Sequence, residues 1–202
     1  PNKVQSVVSA SAIGWYGPDP VIPNPRPFSE EDKADENFLG KTCLQWEQSI
    51  EPVKEAGKRL VIFRTGIVLS NDGGALPEFQ KPLKFGVAAI LGSGNQVVSW
   101  IHIDDLVRLY IKALENDRLD GVYNAVAPKP VAHKELILQL AKEVKGKFYI
   151  PLHVPSFVLK MALGEMSIEV LKSATVSCTK IQLQDFTFIY PTIQAALKNL
   201  KS

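Results

Sequence analysis

Cysteine, histidine and methionine are scarce in this sequence, numbering two, three and two among 202 residues. Cys43 and Cys178 lie far apart in sequence, which suits a reducing compartment better than a disulfide scaffold, so both are expected as free thiols. His102, His133 and His153 have no ligand-like spacing with one another or with either cysteine, and no metal site is expected. Neither sign of charge dominates: 23 Lys and Arg against 21 Asp and Glu leave +2, without a basic block, so a nucleic-acid partner is not expected. No apolar run is long enough to cross a bilayer and no charged-then-apolar leader opens the chain, so the expectation is a cytoplasmic protein without a membrane partner. Repeats and low-complexity tracts are also lacking, which excludes arrays. What remains is an ordinary globular composition, 46% hydrophobic and 22% charged, with enough apolar residues for a real core.

The run Val4 to Ser9 is rich in β-branched residues and reads as a buried strand leading into a loop. Between Gly14 and Pro27 stand two glycines and five prolines, too many for a helix, so this segment is expected to cross the surface near the strand end. Leu39, Cys43, Trp46, Ile50 and Val53 recur by three and four and predict a helix with one apolar face, ended or kinked near Glu51 by Pro52. Leu60 to Thr65 is the next strand. A weak helix over 76–84 and a strand from Val97 to Ile103 follow, and then a helix capped by Asp104 or Asp105 with a buried stripe of Leu106, Val107, Tyr110, Ile111 and Leu114. Gly121 to Val126 is a third strand. Beyond Pro128 the pattern predicts helices over 133–144, 155–163, 167–172 and 192–200, with a short strand from Phe186 to Tyr190. Strands alternating with helices imply an α/β fold with a parallel, Rossmann-type doubly wound sheet over 1–128 and a small, mostly helical domain over 129–202. The chain is expected to begin inside a fold, its first strand starting the later half of a larger sheet. Alone, it is expected to expose that strand's apolar edge.

Ligands of open parallel sheets bind beyond the carboxyl ends of the strands. That rule selects Ser9, Ser11 and the Gly14 to Gly17 turn, then Arg64, Thr65 and Gly66, then Asn124, a set suited to a polar, anionic ligand. Each has a plainer role available: the serines as loop caps, Arg64 in a structural ion pair, His102 as a hydrogen-bonded packing residue and Cys43 as core. The turns at Asn71 to Gly74 and Leu91 to Asn95 do not fit a dinucleotide-binding glycine motif, which needs a strand before it and a helix opening within it.

Five ordered motifs carry a resemblance. They are Ser-Ala-Ser-Ala-Ile-Gly-Trp-Tyr-Gly from Ser9 to Gly17, Cys-Leu-Gln-Trp-Glu from Cys43 to Glu47, Arg-Thr-Gly-Ile-Val-Leu from Arg64 to Leu69, Trp-Ile-His-Ile-Asp-Asp from Trp100 to Asp105, and Gly-Val-Tyr-Asn-Ala-Val-Ala-Pro from Gly121 to Pro128. Together they resemble the sugar-nucleotide epimerase-like branch of the extended short-chain dehydrogenase/reductase superfamily, over essentially the whole chain and as the C-terminal two-thirds of such a protein. The resemblance implies NAD or NADP as cofactor, held by Ser9, Ala10, Ser11, Arg64, Thr65, Gly66 and Ile67. It implies Ser11, with Tyr16 nearby, as the catalytic candidates, and Trp15, Trp100, His102 and Asn124 toward a small polar or nucleotide-linked substrate. In the family an earlier segment supplies the glycine-rich turn for the pyrophosphate, and helices flanking the sheet often form a homodimer.

The superfamily's chemistry also uses a Tyr and a Lys four residues later, the Lys lowering the phenol's pKa for proton exchange. With Glu47 aligned to the family's helix glutamate, Leu39 stands at the Tyr place and Cys43 at the Lys place. The resulting expectation is an NAD(P)-binding epimerase- or oxidoreductase-like protein without the usual pair. The alternative is a non-catalytic NAD(P)-binding sensor or scaffold.

Overall fold

In the computed structural model, which describes residues 3–201, the chain opens with strand β1 (Ser6–Ala12), a 3-10 turn (Ile13–Trp15) and a long proline-rich loop. Helix α1 (Phe38–Ile50) begins where the Asn37 side chain accepts from the Gly40 N–H, satisfying one of the open donors of the first turn. Pro52 cannot continue that helix and starts α2 (Pro52–Glu55). Strands β2 (Arg59–Thr65), β3 (Ile67–Ser70) and β4 (Gly73–Gly74) lead to α3 (Ala75–Leu83). Then come β5 (Val87–Leu91), β6 (Val97–Val98), β7 (Trp100–His102), α4 (Ile103–Glu115), β8 (Gly121–Ala125), β9 (Val131–Ala132) and α5 (His133–Lys145). The rest is β10 (Ile150–Val154), α6 (Ser156–Leu163), α7 (Met166–Leu171), α8 (Thr179–Gln182) and α9 (Ile193–Asn199). No helix among the described residues is long and apolar enough to cross a membrane.

The central sheet runs β1-β2-β8, all parallel, and its middle strand is buried from Leu60 through Arg64, as expected for a strand covered on both faces. Parallel pairs β3–β7 and β5–β10 and the antiparallel pairs β3–β4 and β6–β9 make the smaller sheets. Two apolar cores form. One, with Val61, Phe63, Leu109 and Tyr123, lies under the central sheet and takes in Ala174 to Phe188 from the C-terminal segment. The other, with Leu76, Ile90, Trp100, Leu136 and Leu197, joins α3, β5, α5 and α9.

The α/β architecture and parallel sheet are as the sequence implies, but several local readings change. The first strand starts two residues later than predicted and runs on to Ala12. The buried face of α1 is Gly40, Cys43 and Glu47, whereas Trp46 is 45% exposed, because this face meets polar groups of the sheet. The predicted strand over 97–103 is broken at Ser99, whose hydroxyl bonds the carbonyl of Ala174 and the N–H of Val176. Asp104 and Asp105 do not cap α4: His102 does, its Nδ1 accepting from the Asp104 N–H at 3.0 Å. The buried residues of α4 are Asp105, Leu109 and Ala113, leaving Val107, Ile111 and Leu114 at 48%, 46% and 59% exposure. The segment 186–190 forms no strand, since Asp105 takes the backbone N–H groups of Ile189 and Tyr190, both at 2.9 Å.

The proline-rich loop is strapped to the C-terminal segment. The Asp19 carboxylate accepts from Asn24 Nδ2 (2.9 Å), Ser173 Oγ (2.7 Å), the Thr175 N–H (3.0 Å) and Thr175 Oγ1 (2.8 Å), and Phe28 bridges to Val176. Asp19→Ala strands those donors, and the expected loss is about 2 kcal/mol of unfolding free energy, read from urea denaturation.

Candidate functional site

The register of the central sheet sets Ser11 beside Arg64 and Arg64 beside Asn124, one residue from each strand. Side chains alternate along a strand, so this row shares a face, and that face meets α1. Gly40 lets α1 seat closely, since a Cβ there would stand 2.1 Å from the Asp35 carbonyl oxygen. Its next turns deliver Cys43 and Glu47 to the sheet.

The row closes on itself. Arg64 grips Glu47 with two charge-assisted bonds, Nε to Oε1 and Nη2 to Oε2, both 2.9 Å, with both side chains buried. Ser11 Oγ donates to the same Oε1 at 2.7 Å. Arg64 Nη1 also donates to the Tyr16 hydroxyl and to the Glu30 carbonyl, each at 3.3 Å. The Trp15 ring covers the guanidinium, 3.5 Å from Cζ to centroid, while its Nε1 donates to the Asp32 carbonyl. Tyr16, stacked on Phe28, donates its proton to Asn124 Oδ1 at 2.6 Å. Asn124 is completed by Glu30 Oε1, which accepts its backbone N–H, and by Ser177, whose carbonyl accepts from Nδ2.

The strand-end residues chosen from the sequence are therefore neighbours, but their polar groups face one another. Arg64 is 3% exposed and its charge is answered by Glu47; that carboxylate holds the guanidinium above its usual range against the opposing effect of burial. Tyr16 is fully buried, and burial pushes its phenol up to about 12 despite the adjacent Arg64. A phenol so placed keeps its proton through the physiological range. Leu39 and Cys43, at the places of the usual Tyr and Lys, pack toward Gly14, and burial raises the Cys43 thiol.

Ser9 and Ala10 are different. Ser9 is half-buried on the same face as Ser11, with its hydroxyl on the neighbouring Ala10 carbonyl; Ala10, on the opposite face beside Phe63, is exposed, so its small side chain leaves an open shelf near the β1 end. Thr65 ends β2 beside Ala12, and Gly66 and Ile67 carry the chain into β3, all three half-buried. The Gly66 N–H donates to the Ala125 carbonyl, and a Cβ there would meet the Ser99 carbonyl oxygen at 2.6 Å, so this glycine permits the passage from β2 to β3. A pyrophosphate cradle, with glycines between a strand and a helix, is absent among the described residues.

Trp100 and His102 lie on β7, paired with β3 and outside the row. Trp100 is fully buried with Nε1 donating to the Lys129 carbonyl. His102 caps α4, pairs with Asn199 Oδ1 at 3.1 Å and stacks on Tyr190, and burial lowers its pKa. Glu47, Glu30 and Asp19 are the polar residues that sequence reasoning did not assign to this region. Glu47 alone carried a signal, its place four residues beyond Cys43 on the same helix. Among the described residues no group of three or more His, Cys, Asp or Glu is placed to hold a metal ion.

Residues 1–125 match the NAD dependent epimerase/dehydratase family, and residues 154–200 match a domain of unknown function, DUF1731. An epimerase family protein of Staphylococcus saprophyticus is 39% identical over 202 residues, covering 98% of this chain; the chain spans 65% of that relative's length. The crystal structure of human epimerase family protein SDR39U1 (isoform 2) with NADPH superposes with a TM-score of 0.86 at 25% identity, covering 98% of this chain and 65% of the human one. A nucleoside-diphosphate sugar epimerase from Corynebacterium glutamicum gives a TM-score of 0.75 at 31% identity, covering 98% of this chain and 38% of that one.

Proposed function

Because this chain belongs to the NAD dependent epimerase/dehydratase family, we propose that it binds a nicotinamide cofactor over the carboxyl ends of β1 and β2 and serves epimerase- or oxidoreductase-like chemistry on a small polar or nucleotide-linked substrate. The observation that carries this reading is the open shelf left by the exposed, small Ala10 near the carboxyl end of β1, with the half-buried Thr65, Gly66 and Ile67 following at the end of the adjacent parallel strand β2. NADP is favoured over NAD, since the human relative was crystallised with NADPH. When bound, nicotinamide accepts or returns a hydride. The chain's own part is to support the ring on small residues, while the buried Glu47–Arg64–Tyr16–Asn124 network fixes the strand ends beneath it. The segment after Pro128 closes over substrate in this reading.

The further length carried by the relatives is proposed to precede β1, to extend the sheet along its free edge and to bring the glycine-rich pyrophosphate turn. Two features support this. β1 pairs only with β2 among the described residues, and α4, which packs over β1, leaves Val107, Ile111 and Leu114 exposed. Phe38 and Trp46, 80% and 45% exposed on the outer side of α1, are the proposed homodimer surface.

A second reading, a non-catalytic NAD(P)-binding sensor or scaffold, is favoured by one specific arrangement. The Ser11 and Tyr16 hydroxyls already donate hydrogen bonds to Glu47 and Asn124, Leu39 has no titratable group, and burial raises the Cys43 thiol so that it keeps its proton. Titrating NADPH and NADH into the protein at the full length of its relatives is expected to give a saturable change in tryptophan fluorescence. No saturable signal with either cofactor rejects both readings. Turnover of a nucleotide sugar or carbonyl compound, abolished by Ser11→Ala, selects the enzyme; binding without turnover selects the sensor.

A further inference from the structure

The turns that precede β5 and β10 lie side by side. Strand β10 pairs with β5 in parallel, Ile150 N–H donates to the Gly86 carbonyl at 2.8 Å, and the Phe148 carbonyl oxygen lies 3.9 Å from where a Gly86 Cβ would stand. Each turn carries a phenylalanine in water: Phe85 is 88% exposed and Phe148 86%. Ile150 and Leu152, two apart and so on one face of β10, continue the apolar surface at 71% and 54% exposure. Contiguous exposure of this kind marks a contact surface.

The surroundings of this patch are basic. Lys84 adjoins Phe85, and Lys145 and Lys147 precede Phe148; none of the three makes an ion pair among the described residues. Lys81 faces Glu78, and Glu143, the acid nearest on α5, faces Lys201 at 4.0 Å. We propose that this patch is a peripheral docking surface for an anionic phospholipid bilayer, Phe85 and Phe148 entering the interfacial layer while Lys84, Lys145 and Lys147 meet the headgroups. Aromatic side chains are favoured at that depth, and lysines beside them are attracted by acidic lipid.

Charge and shape select this occupant. A second copy would bring the same lysines against themselves. Strand addition along β10 is hindered by Pro151: Ile150 bonds β5, so the missing N–H of Pro151 faces the free edge. The patch is made of two turns, and two surface cavities of about 460 and 440 Å³ are lined by neither Phe85 nor Phe148. The absence of spanning helices bears on crossing a bilayer, not on resting against one. The nicotinamide reading is not needed for this surface.

Co-flotation with vesicles of phosphatidylcholine containing roughly one-third phosphatidylserine tests it, against vesicles of phosphatidylcholine alone. The lysine term is worth roughly fivefold each, so about a hundredfold preference for the acidic vesicles is expected at low salt, falling as salt is raised. Phe85→Ser with Phe148→Ser, and separately Lys84, Lys145 and Lys147→Glu, should each lower binding at least tenfold while circular dichroism stays unchanged. Phe148→Trp should shift its emission to the blue on adding acidic vesicles. Equal binding to both vesicle types, no binding to either, or binding untouched by both sets of substitutions overturns the proposal. So does a concentration-dependent dimer abolished by the phenylalanine substitutions, which assigns the patch to a second copy, or salt-sensitive retention of an acidic protein without vesicle binding.

Discussion

Glu47→Leu is expected to lower the unfolding free energy by about 3–5 kcal/mol, the cost of leaving a buried charge without its partner. Three groups lose their acceptor at once: the Arg64 guanidinium at Nε and Nη2, and the Ser11 hydroxyl. Arg64 has no route to water, being 3% exposed beneath the Trp15 ring. The double variant Glu47→Leu with Arg64→Met should recover much of that loss, because a buried ion pair is often no better than well-packed apolar groups of the same volume. Recovery will be incomplete, since Ser11 is left without its acceptor and Tyr16 without the Arg64 donor. Urea denaturation of wild type, both single variants and the double variant gives the cycle directly. A loss below about 1 kcal/mol for Glu47→Leu would mean that Arg64 is free to serve a ligand, and the strand-end network would have to be read again.

The second large effect is a pH dependence at His133. Its side chain is buried at the start of α5, neither ring nitrogen has a hydrogen-bond partner, and the edge-to-face contact with Phe79 is 5.6 Å between centroids. Burial lowers its pKa to about 4 from 6.5. The unfolded chain therefore takes up a proton at higher pH than the folded one. The stability held above pH 6.5 is lost as pH falls from 6.5 toward 4, a change of about 3 kcal/mol when the shift is fully expressed. His133→Leu removes that slope and also removes two unsatisfied ring nitrogens, so the variant should be more stable than wild type at pH 4.5. Denaturation midpoints measured between pH 4 and 7 check both statements. Parallel pH profiles for the two proteins would show that His133 is protonated or hydrogen-bonded in the folded state.

The strong periodic elements were readable because burial enforces them. The strand over 59–65 is an apolar run that only a sheet covered on both faces holds, and the helix break at Pro52 follows from a missing N–H. Misreadings arose where a polar side chain did the work of the backbone. His102 took the cap expected of Asp104 or Asp105, and Asp105 went inside to hold the backbone of Ile189 and Tyr190, which dissolved the strand expected there. The α4 stripe looked like core because Val107, Ile111 and Leu114 are apolar; their exposure depends on what stands beside α4, which periodicity does not report. The candidate site shows the same division. Parallel pairing correctly gathers Ser11, Arg64 and Asn124 into one row. Whether their charges point toward a ligand or into the protein depends on Glu47 and Glu30, which come from a helix and a loop far away in sequence.

The account turns on where the nicotinamide lies. The most direct measurement is the NADPH affinity of the protein at its relatives' full length, by calorimetry, for wild type and for Ala10→Leu. Ala10 is exposed on the shelf, so the larger side chain should leave the fold intact and fill the place of the ring. The account predicts saturable binding by wild type, weakened at least tenfold by Ala10→Leu with an unchanged denaturation midpoint. NADPH bound equally well by both proteins would contradict it and place the cofactor elsewhere.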